Sequence, residues 1–183
     1  KEVGGQSDIF MSNYVDKVWS NPKSVSSVNS SYNETGVTIS ADGKYLYFCS
    51  DREGGNGKFD IYQCTKSGNS WSSPKNLGTA LNTSFNETSP YINPNGKTLF
   101  FSSNGYRDGI GGYDIFYSEL KDDDTWSTPQ NMGFPINTTR DDINYYITGG
   151  GNRYYATVRE EANSYDIFKI EGGGFSFENI DVG

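Results

Sequence analysis

The 183-residue chain contains no histidine. Its absence excludes Ser-His and Cys-His nucleophilic chemistry, histidine-ligated zinc and a histidine pH switch. Only carboxylate, lysine or tyrosine catalysis stays open, and no catalytic residue or cofactor is expected. Positive charge is also scarce: 15 Lys and Arg stand against 23 Asp and Glu, a net charge of −8. Nucleic acid needs clustered Lys and Arg to displace its counterions, so no nucleic-acid partner is expected; a protein with a basic patch fits better. No apolar run exceeds about five residues, too short for a helix inserted directly into a membrane. Leucine and alanine are few, whereas 22 glycines and 14 tyrosines, with many Ser, Thr and Asn, favour strands and turns. The expected class is all-β.

What is present is a repeat. An Asp-Ile-Phe/Tyr phrase recurs every 52 to 54 residues, at Asp8-Ile9-Phe10, Asp60-Ile61-Tyr62, Asp114-Ile115-Phe116 and Asp166-Ile167-Phe168. Several short strands at a period of this order mark β-propeller blades. Aligned copies predict four antiparallel strands per blade. The first carries Ile39, Ile92 or Ile147, in phase as a layer of core. An Asp42-Gly43 or Asn95-Gly96 turn then leads to Tyr45–Ser50 or Thr98–Phe101, because these pairs tolerate the positive φ of a two-residue hairpin. A longer glycine-rich connection precedes the Asp-Ile-Phe/Tyr strand. The fourth strand carries Trp19, Trp71 or Trp126 in Trp-Ser-x-Pro, where proline implies an outer edge and tryptophan is expected to cover the seam between blades.

Residues 1–33 read as half a blade, 34–86 and 87–141 as one blade each, and 142–183 as a degenerate blade lacking the tryptophan but keeping Phe175 and Phe177. The total is about three and a half blades, whereas propellers close with four to eight. A piece of a larger propeller is therefore expected, with open edges completed in cis or by another chain.

The run Glu87-Thr88-Ser89-Pro90, Asn95-Gly96-Lys97, Leu99-Phe100-Phe101-Ser102-Ser103, Gly111-Gly112-Tyr113-Asp114-Ile115-Phe116, Trp126-Ser127-Thr128-Pro129 and Ile136-Asn137-Thr138 resembles the WD40-like, TolB-type β-propeller repeat of bacterial envelope proteins. The resemblance covers nearly the whole chain. Its nearest variety is PorE-like: Bacteroidetes proteins that join such a propeller to tetratricopeptide repeats and an OmpA-like peptidoglycan-binding domain, in association with type IX secretion. The resemblance implies a periplasmic, non-catalytic interaction scaffold, outer-membrane associated, whose partners are an outer-membrane complex or an OmpA-like peptidoglycan-associated domain.

Each candidate site has a functional and a structural reading. Glu34, Glu87 and Asp142 precede the first strands; they either ring a channel mouth that attracts a basic segment or cap the preceding Asn-Ser/Thr turn. Arg52 and Arg107, with Tyr106, sit in the long connections, where they contact a partner or bridge to neighbouring acids. Asp8, Asp60, Asp114 and Asp166 recur in every copy, as expected of aspartates that accept N–H bonds from their own turns. Calcium held by Asp51 and Asp60, or by Asp108 and Asp114, is the sharper alternative, although the spacing matches no calcium loop. Cys49 and Cys64 fall on consecutive strands, where a hairpin suggests a disulfide in an oxidising compartment; a register slip of one residue would put them on opposite faces as buried thiols. A glycan-binding or glycan-cleaving propeller is the competing function. It requires a unique facing pair of carboxylates, and the Trp hairpins lack the Asp-x-Gly spacing of a sialidase Asp-box.

Overall fold

The computed structural model describes residues 7–158 and 164–170. The outer positions 1–6 and 171–183, with Phe175 and Phe177, lie outside the described residues. In chain order the strands are β1 (Phe10–Met11), β2 (Tyr14–Val15), β3 (Val18–Trp19), β4 (Lys23–Ser24), β5 (Glu34–Ile39), β6 (Tyr45–Ser50), β7 (Asp60–Ser67) and β8 (Ser70–Trp71). They continue with β9 (Lys75–Asn76), β10 (Glu87–Ile92), β11 (Thr98–Ser103), β12 (Asp114–Glu119), β13 (Gln130–Asn131), β14 (Asp142–Ile147), β15 (Arg153–Val158) and β16 (Tyr165–Ile170). Among the described residues there is no helix long and apolar enough to cross a membrane.

The sheets follow the repeat. One blade is β5-β6-β7-β9, with β8 folded back on the end of β7; the next is β10-β11-β12-β13; the last shows β14-β15-β16. The named strands pair antiparallel, an isolated parallel bridge joins Phe59 to Asn86, and β1-β4 and β2-β3 form two-stranded ribbons ahead of the first blade. Local chemistry makes the inner hairpins. Asp42 Oδ1 accepts the Lys44 N–H at 3.0 Å, and Asn95 Oδ1 accepts the Lys97 N–H at 2.9 Å, while Gly43 and Gly96 supply the left-handed φ of +70° and +69°.

The expected fourth strand is split in two. Trp71 and Trp126 lie on short hairpins that extend the third strand, by the Lys66–Trp71 pair and the Leu120–Trp126 bridge. The outer edge resumes after Pro74 and Pro129, when β9 and β13 pair with the start of the third strand. Proline has no N–H to give the ladder, so the break falls there. Serine bridges it: Ser72 Oγ accepts the Thr65 N–H at 2.9 Å, Ser127 Oγ the Glu119 N–H at 3.0 Å and Ser20 Oγ the Asn13 N–H at 2.9 Å.

The core consists of seams between blades. Alternation along a strand sends successive side chains to opposite faces, so each sheet buries one face on the preceding blade and the other on the following one. Ile9, Val28, Leu46, Phe48, Tyr62, Cys64 and Trp71 fill the first seam. The second holds Tyr47, Ile61 and Leu81 against Ile92, Leu99, Phe101, Phe116 and Trp126. The third holds Phe100, Ile115, Met132 and Ile136 against Tyr145, Ile147 and Tyr155. Tryptophan covers the seam as expected at Trp71 and Trp126, and the Trp126 ring meets Tyr47 edge-on at 6.2 Å. Trp19 is exposed, and its ring packs on Tyr14 with centroids 4.9 Å apart.

Two expectations are corrected. Ile92 and Ile147 are buried but Ile39 is half exposed, because no inner strand precedes β5 among the described residues. Cys49 and Cys64 are free thiols. The register pairs Cys49 with Ile61 and Cys64 with Leu46, an odd offset that sends the two sulfurs to opposite faces and into different seams.

Candidate functional site

The acidic side chains ahead of the inner strands are turned inward. Glu34 accepts the Ser30 N–H at 3.0 Å, the Ser30 hydroxyl at 2.5 Å and the Ser50 hydroxyl at 3.1 Å. Glu87 repeats the pattern with the Thr83 N–H at 2.8 Å and the hydroxyls of Thr83 and Ser103 at 2.7 Å. Asp142 takes the Thr138 N–H at 2.6 Å and its hydroxyl at 3.0 Å. All three are buried. They cap the Asn-Ser/Thr turn and do not ring an open mouth, because the turn's N–H and hydroxyl donors have no other partner in the interior. Burial pushes the Glu87 and Asp142 carboxyls above their ordinary values, against the pull of those donors.

Arg52 is likewise internal. Its guanidinium bonds Glu34 at 2.8 Å, the Val28 carbonyl at 2.8 Å and the Ser50 hydroxyl at 3.1 Å, and lies 5.0 Å from the ring centres of both Phe48 and Tyr62. In the next blade that place is taken by Tyr106, whose hydroxyl donates to the Leu81 carbonyl at 2.5 Å while its ring packs on Phe116 at 4.5 Å. The long connection after Ser103 passes the turn with Tyr106, not Arg107, pointing inward. Of the three loop residues expected to face a partner, only Arg107 is exposed.

The repeated aspartates bind their own loops. Asp60 accepts N–H groups of Asn56 and Gly57 and the Asn76 amide at 2.8 Å; Asp114 accepts those of Ile110 and Gly111 at 2.7 and 3.2 Å. Burial raises the Asp114 carboxyl above its ordinary value. Asp8 is exposed and Asp166 partly buried. Asp51 accepts the Asn33 N–H and side-chain amide at 2.7 and 2.9 Å. Oxygens faced by N–H donors are poor calcium ligands, and the carbonyl of Asp108 accepts the Asn131 amide at 2.9 Å. Among the described residues no group of three or more His, Cys, Asp or Glu is placed to hold a metal ion.

A further functional class in the repeat is the asparagine of each crossover. Asn82 accepts the Ile61 N–H at 2.9 Å and donates to the Ile61 carbonyl at 3.1 Å; Asn137 does the same to Ile115, both at 2.8 Å, and Asn29 to Ile9, both at 2.9 Å. The side-chain oxygen here stands in for a strand partner of the isoleucine N–H, while the carbonyl is shared with the backbone N–H of Val25, Leu77 or Met132. The sequence carries its signal: Asn stands 20, 21 and 22 residues after the isoleucine of the Asp8-Ile9, Asp60-Ile61 and Asp114-Ile115 phrases.

The surface left free of these commitments is the axial one. Each inner strand carries a bulge at its third residue, with Gly36, Ser89 and Asn144 at φ +58°, +51° and +59° and a register shift at each. A Cβ on Gly36 would stand 3.1 Å from Pro90 Cδ, so the strands converge here. Beyond the bulges β5, β10 and β14 enclose a groove of about 450 Å³ lined by Val37, Ile39, Pro90, Tyr91 and Tyr146. Tyr91 donates to the Ile147 carbonyl at 2.7 Å and packs on Tyr146 at 4.9 Å, which holds β10 and β14 together along its wall. The volume and the apolar-aromatic lining with backbone polar groups suit a bound segment or small ligand. A second groove of about 380 Å³ lies at the rim of the second seam, among Tyr45, Tyr47, Gln63, Lys75 and Trp126.

No family profile matches the chain and no curated protein matches it. Among solved structures it is similar to TolB from Acinetobacter baumannii, with 17% identity and a TM-score of 0.53 over 81% of this chain and 32% of that one. The chain thus spans about a third of that protein's length. It also aligns with the NanB sialidase from Streptococcus pneumoniae, with 14% identity and a TM-score of 0.44 over 82% of this chain and 24% of that one. The blade-on-blade antiparallel sheets and the TolB likeness together establish an all-β protein with a TolB-like β-propeller fold.

Proposed function

We propose that the chain is a non-catalytic protein-interaction propeller of the bacterial cell envelope, acting in the periplasm and receiving a segment of a partner protein in its axial groove. The groove carries the reading: it presents Val37 and Tyr146 half exposed beside open inner-strand edges, whereas the recurring acids are engaged by their own turns. The TolB-like fold supports an envelope role. The partner class is an outer-membrane complex or an OmpA-like peptidoglycan-associated domain, of the kind associated with type IX secretion. The test is capture of identified envelope proteins by the wild type and by V37D and Y146A forms. Loss of an outer-membrane or OmpA-like protein in both variants supports the reading, and capture that is unchanged overturns it.

The rim groove favours a second reading, glycan binding, because the exposed Tyr45 ring stands beside the Gln63 amide and the Lys75 ammonium, with the edge of the buried Trp126 at its floor. Titration with peptidoglycan fragments, followed by tryptophan fluorescence, decides it: saturable quenching that Y45A abolishes supports a glycan site.

A further inference from the structure

The rim groove of the second seam has a counterpart one blade earlier. There Met11, Lys23, Asn69, Ser70 and Trp71 line a groove of about 180 Å³, against about 380 Å³ for the one among Gln63, Lys75, Asp124, Thr125 and Trp126. The two match position by position. Lys23 pairs with Met11 across β4 and β1 as Lys75 pairs with Gln63 across β9 and β7, and each tryptophan hairpin sets a short polar pair, Asn69-Ser70 or Asp124-Thr125, on the opposite wall. Both walls of each groove lie within the described residues.

The lysine is the informative member. In a chain of net charge −8, the ion pairs among the described residues are Lys44–Asp42 and Arg52–Glu34; Lys23 and Lys75 are exposed and belong to neither. The third seam has Gln130 at that register, opposite Tyr117, and its amide oxygen accepts the Tyr117 hydroxyl at 2.6 Å. Only the first two seams therefore place an ammonium at the rim.

We propose that the two rim grooves together bind an acidic glycan chain, one that carries a carboxylate on successive sugar units, with Lys23 and Lys75 each taking one carboxylate. The inference rests on the glycan reading of the rim and names its ligand class. The ammonium at one wall attracts the carboxylate, and Asn69 with Ser70, or Asp124 with Thr125, meets the sugar hydroxyls from the other. Asp124 accepts hydroxyls and repels a carboxylate at its own wall, which turns the acidic end of the unit toward Lys75. The tryptophan edge at the floor gives the C–H face of the ring an apolar contact. Equivalent grooves one repeat apart suit a polymer, because binding of one unit raises the effective concentration of the next.

The experiment is calorimetric titration of wild type, Lys23→Glu, Lys75→Glu and the double variant with short and long oligogalacturonates, and with chitin oligomers as the neutral comparison. Both lysines are exposed, and far-UV circular dichroism checks the fold of each variant. The wild type should bind two short oligogalacturonates per chain, and a long one about 100-fold more tightly, with binding that weakens as salt is added. Each single variant should bind one short oligomer and lose the gain with length; the double variant should bind none. Chitin oligomers that bind as well as the acidic ones, unaffected by either lysine, overturn the proposal and leave the glycan reading of the rim standing. A protein that binds no saccharide at all overturns both. A gain with length that survives in either single variant also overturns the proposal, because one groove would then suffice.

Discussion

The side-chain amide of Asn82 closes a two-hydrogen-bond ring on the backbone of Ile61, at 2.9 and 3.1 Å, in the buried centre of a blade. The crossover to the next blade is thereby fastened to the third strand beside the end of β9, whose following residue Leu77 donates to the same carbonyl at 3.1 Å. Replacing Asn82 with Leu keeps the approximate volume and strands the buried Ile61 N–H, whereas the Ile61 carbonyl keeps the Leu77 N–H at 3.1 Å. The cost expected is about 1–3 kcal/mol for that stranded N–H, read by urea unfolding. A loss below about 0.5 kcal/mol, the usual range of a neutral surface change, would contradict the clamp.

Arg52 and Tyr106 hold equivalent carbonyls by different chemistry, so their removal should differ in cost. Arg52→Ala leaves Glu34 charged and buried, a change that costs about 3–5 kcal/mol. Tyr106→Phe keeps the ring packing and gives up one hydrogen bond, about 0.5–1.5 kcal/mol. Adding Glu34→Gln to Arg52→Ala should recover part of the loss. Equal costs for the two single variants would refute the strut assigned to Arg52.

The two thiols should behave as core side chains. Burial pushes Cys64 up to about 11 and moves Cys49 upward as well, so neither is a reactive thiolate at neutral pH. Thiol reagent should label both only after unfolding, and reductant should leave Tm unchanged. A reductant-dependent fall in Tm would show a disulfide after all.

Glu87 should give a pH signature. Its carboxyl is raised above its ordinary 4.5 by burial, so the folded state holds the proton to higher pH than the unfolded state does. The stabilisation linked to that proton is full below the ordinary value and is lost as pH rises through the raised folded one. The stability of wild type relative to Glu87→Gln should therefore fall across that window and level off above it. A difference that is flat, or that grows with pH, would reverse the sign assigned here.

The period, the strand order and the inner hairpins could be read from the residues because each depends on near neighbours in the chain. Asp42-Gly43 and Asn95-Gly96 make their turns from their own φ preferences and side-chain bonds. The structural reading of Asp60 and Asp114 was also available, since both bind N–H groups three or four residues away. The candidate site fared differently. Arg52 and Arg107 look alike in a linear alignment, yet the longer second connection puts Tyr106 at the place that Arg52 occupies.

Blade-on-blade packing settled the rest. The register of β6 on β7 separated Cys49 from Cys64, and the neighbouring sheet made Trp71 a seam residue and Trp19 a surface one. The axial groove exists only because three bulged inner strands converge from positions more than fifty residues apart. Local propensity writes a blade, because its hydrogen bonds close within one repeat. Which side chains remain free to bind is decided between repeats, by contacts that no stretch of sequence contains on its own.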